Sequence, residues 1–159
     1  TAHSSIEFKV RHMAISNTKG AFTDFSGTYE YDPKAHHLTA LNGTVSMESL
    51  DTRNEKRDTH LKKPEFFDIE KYPTMTLSLV RHTGEKVSFD LSIKGKTKRV
   101  NFEVENLSSD TKDPWGNTRT GFSISGKINR KTFDLGMDTA AMIIGDDVKI
   151  ILEIEGIKG

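Results

Sequence analysis

DTRNEKRDTHLKKPEFFDIEKYP, residues 51–73, is the only stretch of this chain whose pattern predicts a helix, and strand-like sequence lies on both sides of it. Thr52 and Glu55 fit a capping box, in which each side chain bonds a backbone N–H of the first turn. Pro64 sets the predicted end, because it lacks a donor and clashes with the preceding turn. A helix of about nine residues does not persist alone in water. We therefore expect it to dock on the rest of the chain through the Phe66–Phe67 pair.

One face of this predicted helix is mostly polar. Asn54, Arg57, Asp58 and Leu61 share it at a spacing of three and four residues. A face with a single aliphatic side chain does not form a core by itself. Next to two phenylalanines, it is predicted to form the rim of an apolar cavity.

Composition limits the classes of function open to this chain. Its 159 residues predict a single domain, residues 1–159. With a formal net charge of zero, the chain lacks the excess of basic residues that is typical of nucleic-acid-binding proteins. We therefore expect no nucleic-acid partner. The absence of cysteine excludes disulfides, thiolate zinc sites and cysteine nucleophiles. The chain begins at Thr1 rather than Met, which leaves open a cleaved leader or a trimmed end.

Segments of alternating apolar and polar residues make up most of the remaining chain, as in strands with one buried face. In the first, Ser4–His12, the residues Ile6, Phe8, Val10 and His12 fall on one side. A bend is predicted at 17–20, before a long aromatic strand at 21–32. Further strands are predicted at 38–50, 74–81, 86–94, 99–106, 118–128 and 148–155, with a turn at 145–147 before the last.

These eight amphipathic strands predict an all-β fold, an extended eight-stranded antiparallel β-barrel with one short helix packed over one end. Closure is favoured because it removes the edges that long strands would expose. A barrel of this size is either filled by its own side chains or keeps room for one small ligand. With nine phenylalanines, both alternatives stay open.

No catalytic constellation appears among the usual motifs. The chain has no HExxH, G-x-S-x-G, P-loop or G-x-G-x-x-G sequence, and we expect no metal site at His36–His37 or elsewhere. Asp58 and His60 are two residues apart, so on a helix they point to different faces. His12, at the end of the first strand, is either satisfied by a local hydrogen bond or contacts a ligand head group.

The arginines have two possible roles. Arg57, Arg119 and Arg130 either pair with neighbouring carboxylates, such as Asp58 or Asp134, or aim a guanidinium at a phosphate or carbonyl head group.

Six motifs carry a resemblance to a known family. HSSIEFKVRHM, GAFTDFSGTYEYDP, RNEKRDTHLKKPEFFDIEKYP, DPWGNTRTGFS, INRKTFDLG and GDDVKIILEIE, in this order over nearly the whole chain, resemble the YceI-like family of lipid-binding proteins. The resemblance implies a lipocalin-like barrel whose hydrophobic lumen holds a long amphiphile, typically a polyisoprenoid or isoprenoid quinone, sometimes a fatty amide. It implies a bound lipid rather than a catalytic cofactor. It also implies a periplasmic or secreted protein, with the cytoplasm as the alternative.

The chain departs from the family at two places. Members usually carry a few more residues ahead of the HS motif, where only Thr1 and Ala2 stand here. The stretch before GDDVK is also short, so we expect this rim of the barrel to differ from that of its relatives.

The inward faces and the resemblance together predict the ligand contacts. The residues predicted to contact the ligand tail are Phe8, Val10, Phe22, Phe25, Phe66, Phe67, Leu77, Phe89, Leu91, Phe102, Phe122 and Ile124. The residues predicted at the head group are His12, Asn54, Arg57, Asp58, Trp115 and Arg130.

Three hypotheses follow from the sequence. The leading one is a non-catalytic protein that carries or stores an isoprenoid lipid or similar amphiphile, in transient contact with a membrane. The alternative is a lipid isomerase or hydrolase that uses His12 or Asp58 within the barrel. The third is a barrel filled by its own phenylalanines that acts through its surface. Ligand length, head group and oligomeric state, including a homodimer, are left open.

Overall fold

A computed structural model describes residues 4–13, 15–32, 34–35, 37–105, 107, 111–140 and 142–157. These residues form eleven strands, one α-helix and two short 3-10 helices. The strands are β1 Ser5–His12, β2 Ser16–Phe22, β3 Phe25–Asp32, β4 His37–Ser46, β5 Leu50–Asp51, β6 Thr74–Thr83, β7 Lys86–Ile93, β8 Lys96–Glu105, β9 Thr111–Lys112, β10 Thr118–Asn129 and β11 Ile144–Ile157. The helix is α1, Glu55–Leu61, and the 3-10 helices are Met47–Ser49 and Arg130–Phe133.

All eleven strands belong to one antiparallel sheet. Its order is β3-β4-β6-β7-β8-β10-β11-β1-β2-β5, with β9 paired to β10 outside this path. The sheet curls so that β3 lies near the other side, where the Tyr29 ring packs edge-on against Phe122 of β10 at 5.0 Å. The all-β, lipocalin-like fold with one short helix is confirmed. The strand count and the closure differ from the prediction: eleven described strands, not eight, form a curled half-barrel, because the terminal strands β3 and β5 do not pair with each other.

The predicted bend at 17–20 and the single strand at 21–32 are wrong. Residues 17–20 lie inside β2, paired with β1 from His12↔Ser16 to Ile6↔Phe22. Gly20 marks a close approach rather than a turn, since a Cβ there would overlap the Phe8 ring. The strand breaks instead at Thr23–Asp24, where the Thr23 N–H donates to Ser49 O at 3.3 Å.

The predicted helix start is also wrong. Asn54, not Thr52, is the N-cap of α1, and its side chain accepts from the Arg57 backbone N–H at 3.0 Å. Thr52 is unavailable as a cap because its hydroxyl bonds the Asp58 carboxylate and accepts from Arg57 Nε. The helix ends at Leu61, with Lys62 as C-cap, and does not run on to Pro64.

The predicted turn at 145–147 is a third correction, because these residues lie inside β11. The pairing of β1 with β11 slips between Val10↔Val148 and His12↔Ile144. Three residues of β11 therefore face the single residue Arg11 of β1, which is a bulge. The bulge contains Gly145, Asp146 and Asp147, which the sequence pattern assigned to a turn.

The apolar core lies against one side of the curled sheet. Inward side chains of β7, β8 and β10 are almost completely buried, including Phe89 and Ile124 at 0% exposure. Those of β1 are only partly buried, although the two sets alternate in the same way along the sequence. The space in front of β1 is the candidate site.

Candidate functional site

Two cavities lie inside the half-barrel. The first, of about 250 Å³, is lined by α1 and is called here the α1 cavity. The second, of about 190 Å³, is lined by β3 and is called the β3 cavity. Ile6, Met75 and Ile150 line both. The cavities therefore adjoin at these three side chains, and the phenylalanines of the half-barrel do not fill its interior.

The α1 cavity combines an apolar wall with a surface opening. Phe8, Phe22 and Phe67 form a connected aromatic wall, with ring centroids 5.7 Å apart for Phe8–Phe22 and 6.2 Å apart for Phe22–Phe67. His12 and Ile143 also line the cavity and are exposed, so the cavity reaches the surface between α1 and the turns beside it.

Most of the residues predicted at the tail line one of the two cavities. In the α1 cavity they are Phe8, Val10, Phe22, Phe66 and Phe67, and in the β3 cavity Phe25, Leu77, Leu91 and Phe102. Phe89 and Ile124 line neither cavity and pack within the buried core. Phe122 is 3% exposed and also lines neither interior cavity.

Several lining residues were not among those predicted from the sequence. Ile6, Met75 and Ile150 share the phase of inward residues already chosen, so the alternation itself could have identified them. Leu135 and Ile143 line the α1 cavity from the segment that follows the second 3-10 helix. That segment has no strand period and carried no signal.

Only three of the six residues predicted at the head group come together. His12, Arg57 and Arg130 line the α1 cavity. Asn54 caps α1, and Asp58 accepts from the Thr52 backbone N–H at 3.0 Å, so both serve the start of the helix. Trp115 is 78% exposed in the turn between β9 and β10, away from both cavities.

Arg57 is held in place at the cavity wall by Thr52. Its Nε donates to Thr52 Oγ1 at 2.8 Å and its Nη2 to the Thr52 carbonyl at 2.7 Å. Thr52 is 4% exposed, so its side of the contact is shielded from water. In the described part of the chain Nη1 has no hydrogen-bond partner, so its in-plane N–H groups remain available to an acceptor.

Arg130 has a different role from that of Arg57. Its side chain is buried and donates to the carbonyls of Leu135, Gly136, Thr139, Ile144 and Gly145. These five bonds match the five N–H groups of a guanidinium, and Nη2 also lies 3.2 Å from Asp146 Oδ1, so the carboxylate partner of Arg130 is Asp146 rather than Asp134. Arg130 therefore holds the segment 135–145 against the cavity.

Arg119 lies on the outer face of the sheet. Its Nε is 2.6 Å from Asp113 Oδ2 and its Nη1 is 3.1 Å from Glu155 Oε1. The hydrogen bond from Arg119 lowers the pKa of Asp113 to about 2. These residues line an open groove of about 470 Å³, in which the arginine and the two carboxylates already satisfy one another.

A stacked histidine pair marks the other end of the sheet. His37 and His82 lie with ring centroids 4.7 Å apart and planes 3° from parallel. His82 Nδ1 accepts from the Leu38 N–H at 2.9 Å, so Nε2 carries the proton and donates to Gly84 O at 2.8 Å. Burial lowers the pKa of His82 and the neighbouring His37 lowers it further, while the Gly84 carbonyl acts in the opposite direction.

The residues that the structure describes include neither a metal-binding cluster nor a membrane-spanning helix. No three His, Asp or Glu side chains there come together in a way that could hold a metal ion. His3 and His36 lie outside the described residues. No described helix has the length and hydropathy to cross a bilayer.

Known proteins match this chain along nearly its whole length. A family model described as the YceI-like domain matches residues 1–156. A UPF0312 protein of Photorhabdus laumondii is 36% identical over 160 residues, which cover 98% of this chain and 82% of that protein.

Solved structures agree with the fold. The crystal structure of a Campylobacter jejuni YceI protein superposes with a TM-score of 0.86 at 31% identity, over 95% of this chain and 91% of that one. A polyisoprenoid-binding domain from Saccharophagus degradans superposes with a TM-score of 0.68 at 16% identity, over 96% and 92% of the two chains. The second likeness shows the fold alone.

Proposed function

Because this chain belongs to the YceI-like family, we propose that it binds a long-chain amphiphile in its joined cavities and carries or stores it without chemical change. The ligand class is a polyisoprenoid, an isoprenoid quinone or a similar lipid. The polyisoprenoid-binding domain of the same fold supports this class. The resemblance also favours action in the periplasm or outside the cell, with the bound lipid as the only small-molecule partner.

The sharing of Ile6, Met75 and Ile150 by the two cavities is the observation that carries this proposal, and we infer that a ligand chain runs from one cavity into the other. Ligand pockets usually measure about 300–1,000 Å³, and the two cavities together fall in that range. A prenyl chain has no group that needs a hydrogen bond, so apolar walls and an elongated shape suffice. Each buried CH₂ contributes about 0.8 kcal/mol relative to water.

The ends of this interior differ, and that difference would orient the ligand. When the ligand comes from a bilayer, its tail gains little, because it moves from one hydrocarbon environment to another. Selection then depends on the head group and on the length of the interior. Arg57 and His12 lie at the α1 end, so we place a carbonyl or phosphate head group there and the tail toward the β3 cavity.

The same geometry favours a carrier over a lipid-modifying enzyme. Asp58, one of the two residues proposed for catalysis, is bonded to Thr52 and does not line either cavity. His12 is exposed at the opening, whereas an acid or base inside a dry site would be shielded from water. The family is one of binding proteins, which agrees with this choice.

Mass spectrometry of an organic extract of the purified native protein tests the proposal. We expect a stoichiometric amphiphile with a long apolar chain. An extract that stays empty after incubation with vesicles containing prenyl lipids would overturn the carrier function. Turnover of such a lipid, with modified product released, would favour the enzyme instead.

A matched pair of variants tests the placement of the head group. Arg57→Gln removes the guanidinium at the cavity wall, whereas Arg53→Gln changes an exposed arginine just before the helix. With a prenyl phosphate and the corresponding prenyl alcohol as ligands, we expect only Arg57→Gln to lose the preference for the phosphate. Equal losses in both variants would remove Arg57 from the head-group site.

A further inference from the structure

Four lysines face one another across four neighbouring strands. Lys9 of β1 pairs with Lys19 of β2 on one side and with Lys149 of β11 on the other. Lys149 in turn pairs with Lys127 of β10. We call Lys19, Lys9, Lys149 and Lys127 the lysine row.

The lysine row lies on the outer face of the half-barrel. Phe8 and Val10, on either side of Lys9, line the α1 cavity, as do Val148 and Ile150 on either side of Lys149. Because side chains alternate along a strand, the lysines point outward. Lys19, Lys127 and Lys149 are exposed, and Lys9 between them is partly covered.

This arrangement of like charges should destabilise the sheet. Opposite residues of paired strands have Cβ atoms about 5 Å apart, and like charges in such pairs are destabilising. In the described part of the chain, no carboxylate forms an ion pair with these four ammonium groups. Along their own strands the nearest carboxylates are Glu7 and Asp147. The formal net charge of the whole chain is zero, so the row does not simply reflect a basic protein and fits an anionic partner.

Exposed apolar side chains lie beyond the lysine row, at the end of the same strands. They are Met13 and Ile15 between β1 and β2, and Met137, Met142 and Ile143 before β11. We call these five residues the apolar tips. The two turns touch, because the Met13 N–H donates to Ile143 O at 2.9 Å. Ile15 is 83% and Met142 80% exposed, and exposed apolar residues are informative when several of them cluster rather than stand singly.

The apolar tips, the lysine row and the cavity opening share one end of the molecule. Met13 follows Lys9 by four residues, a separation of about 13 Å along an extended chain. Ile143 is both an apolar tip and a lining residue of the α1 cavity. An apolar edge backed by positive charge is the pattern of a protein surface that enters the interface of a membrane with anionic lipids.

We propose that this end docks on the surface of an anionic phospholipid bilayer. The apolar tips enter the interface, and the lysine row lies against lipid phosphates. Docked in this way, the α1 cavity opens toward the membrane that holds its ligand. The purpose of docking rests on the proposed function, because a lipid carrier has to meet the membrane that holds its ligand. The contact itself needs no ligand in the cavity.

Other occupants fit this surface less well. A second copy in a two-fold contact would bring one lysine row toward the other, since such an interface uses the same patch on both subunits. A soluble polyanion would use the lysines but would leave the methionines and isoleucines in water. The bilayer uses both features.

Vesicle flotation with ligand-free protein tests the docking. We expect the protein to float with phosphatidylcholine vesicles that contain phosphatidylglycerol, and to stay behind with phosphatidylcholine alone. Added salt should weaken the binding. Equal binding to both vesicle types, or no binding to either, would overturn the proposal.

Two matched charge variants test the lysine row. Replacing Lys9, Lys19, Lys127 and Lys149 by Gln should lower vesicle affinity at least about tenfold. Replacing Lys34, Lys86, Lys98 and Lys112 by Gln changes the net charge equally at exposed positions elsewhere and should leave affinity close to that of the parent. Equal effects of the two sets would contradict a specific row. The row variant removes unfavourable pairs and should fold, which urea denaturation checks.

The tips are tested by Ile15→Ser with Met142→Ser, for which Trp115→Ser is the control at another exposed apolar residue. We expect only the double variant to lose vesicle binding. Concentration-dependent dimerisation that the same double variant abolishes would assign the tips to a second copy. Binding of double-stranded DNA without vesicle binding would assign the row to a soluble polyanion.

The two proposals fail separately. Protein that takes up prenyl lipid from detergent but ignores anionic vesicles would refute docking alone. Protein that docks on vesicles but never retains a lipid would refute the carrier function alone.

Discussion

Two walls of the same sheet show how one sequence pattern produces two different structures. We call the inward sides of β7, β8 and β10 the packed wall, and those of β1 and β11 the hollow wall. Six inward side chains of the packed wall's β7 and β8, from Val87 to Val104, are at most 5% exposed. On the hollow wall no residue of β1 is buried, and Leu152 is the only buried residue of β11.

The walls differ in how closely their own neighbouring side chains pack together and in what else they face. Phe89 and Phe102 meet edge to face at 6.1 Å. The Phe102 ring also lies on Gly126, where a Cβ would overlap it. The hollow wall faces α1, which contributes no buried residue. Alternation thus determines which way a side chain points, whereas the presence of a partner determines whether the space is filled.

The largest contrast between the walls is expected from removing one phenylalanine on each. Phe89→Ala should lower the free energy of unfolding by about 3–5 kcal/mol, since it empties a fully packed site. Phe8→Ala should cost much less, because its ring already borders a cavity, but it should weaken lipid binding. Urea denaturation of the ligand-free variants measures the first effect and lipid titration the second. Similar unfolding energies for both variants would show that the hollow wall is packed in solution.

Removing the buried guanidinium of Arg130 should have the next largest effect. Arg130→Met leaves five carbonyls of the segment 135–145 without their donor, so we expect a loss of about 2–3 kcal/mol. Hydrogen exchange should increase within that segment first. Arg99→Met is the control, because Arg99 forms an exposed ion pair with Asp90, and it should change stability by less than about 1 kcal/mol. An unchanged exchange rate in 135–145 would contradict this role of Arg130.

A smaller effect is expected at the histidine pair, which anchors the far end of the sheet. Burial lowers the pKa of His82 below its ordinary value of 6.5. As the pH falls through 6.5, the unfolded chain takes up a proton before the folded one does, so stability decreases toward the lower folded pKa. Above pH 6.5 this group adds no pH dependence. Protonation of Nδ1 would also turn it into a donor, so it would lose the hydrogen bond that it now accepts from the Leu38 N–H.

Urea midpoints above and below pH 6.5 measure this effect. His82→Gln should flatten the profile, whereas His12→Gln, at the exposed opening of the hollow wall, should leave it intact. An acid-induced loss that survives in His82→Gln would assign the effect to other groups.

The sequence predicted the facing of residues better than their boundaries and partners. The alternation of Ile6, Phe8 and Val10 identified the inward side of β1, and the helix was placed correctly between strands. Gly20 and the segment 145–147 were misinterpreted as turns. Gly20 lies under the Phe8 ring and 145–147 form a bulge opposite Arg11, so both depend on a neighbouring strand that the local sequence does not reveal.

The candidate site was predictable only in part. The tail-lining phenylalanines shared a period, and most of them line a cavity, but the period did not distinguish Phe89 in the packed wall from Phe8 in the hollow wall. Thr52 fitted a cap, yet the alternative partners Arg57 and Asp58 lie one turn further on. Whether a hydroxyl caps a helix or clamps a guanidinium depends on burial, which local sequence does not specify.

The continuity of the two cavities is the central claim, and a ligand-length series tests it most directly. Binding of prenyl alcohols of increasing length would be compared for the parent protein, Ile150→Trp and Ile151→Trp. Ile150 lies where the cavities join, whereas Ile151 is its neighbour on the outer face. We predict that affinity rises with length in the parent and in Ile151→Trp, but stops rising at a shorter length in Ile150→Trp. The same length dependence in all three proteins would contradict a single interior that runs through both cavities.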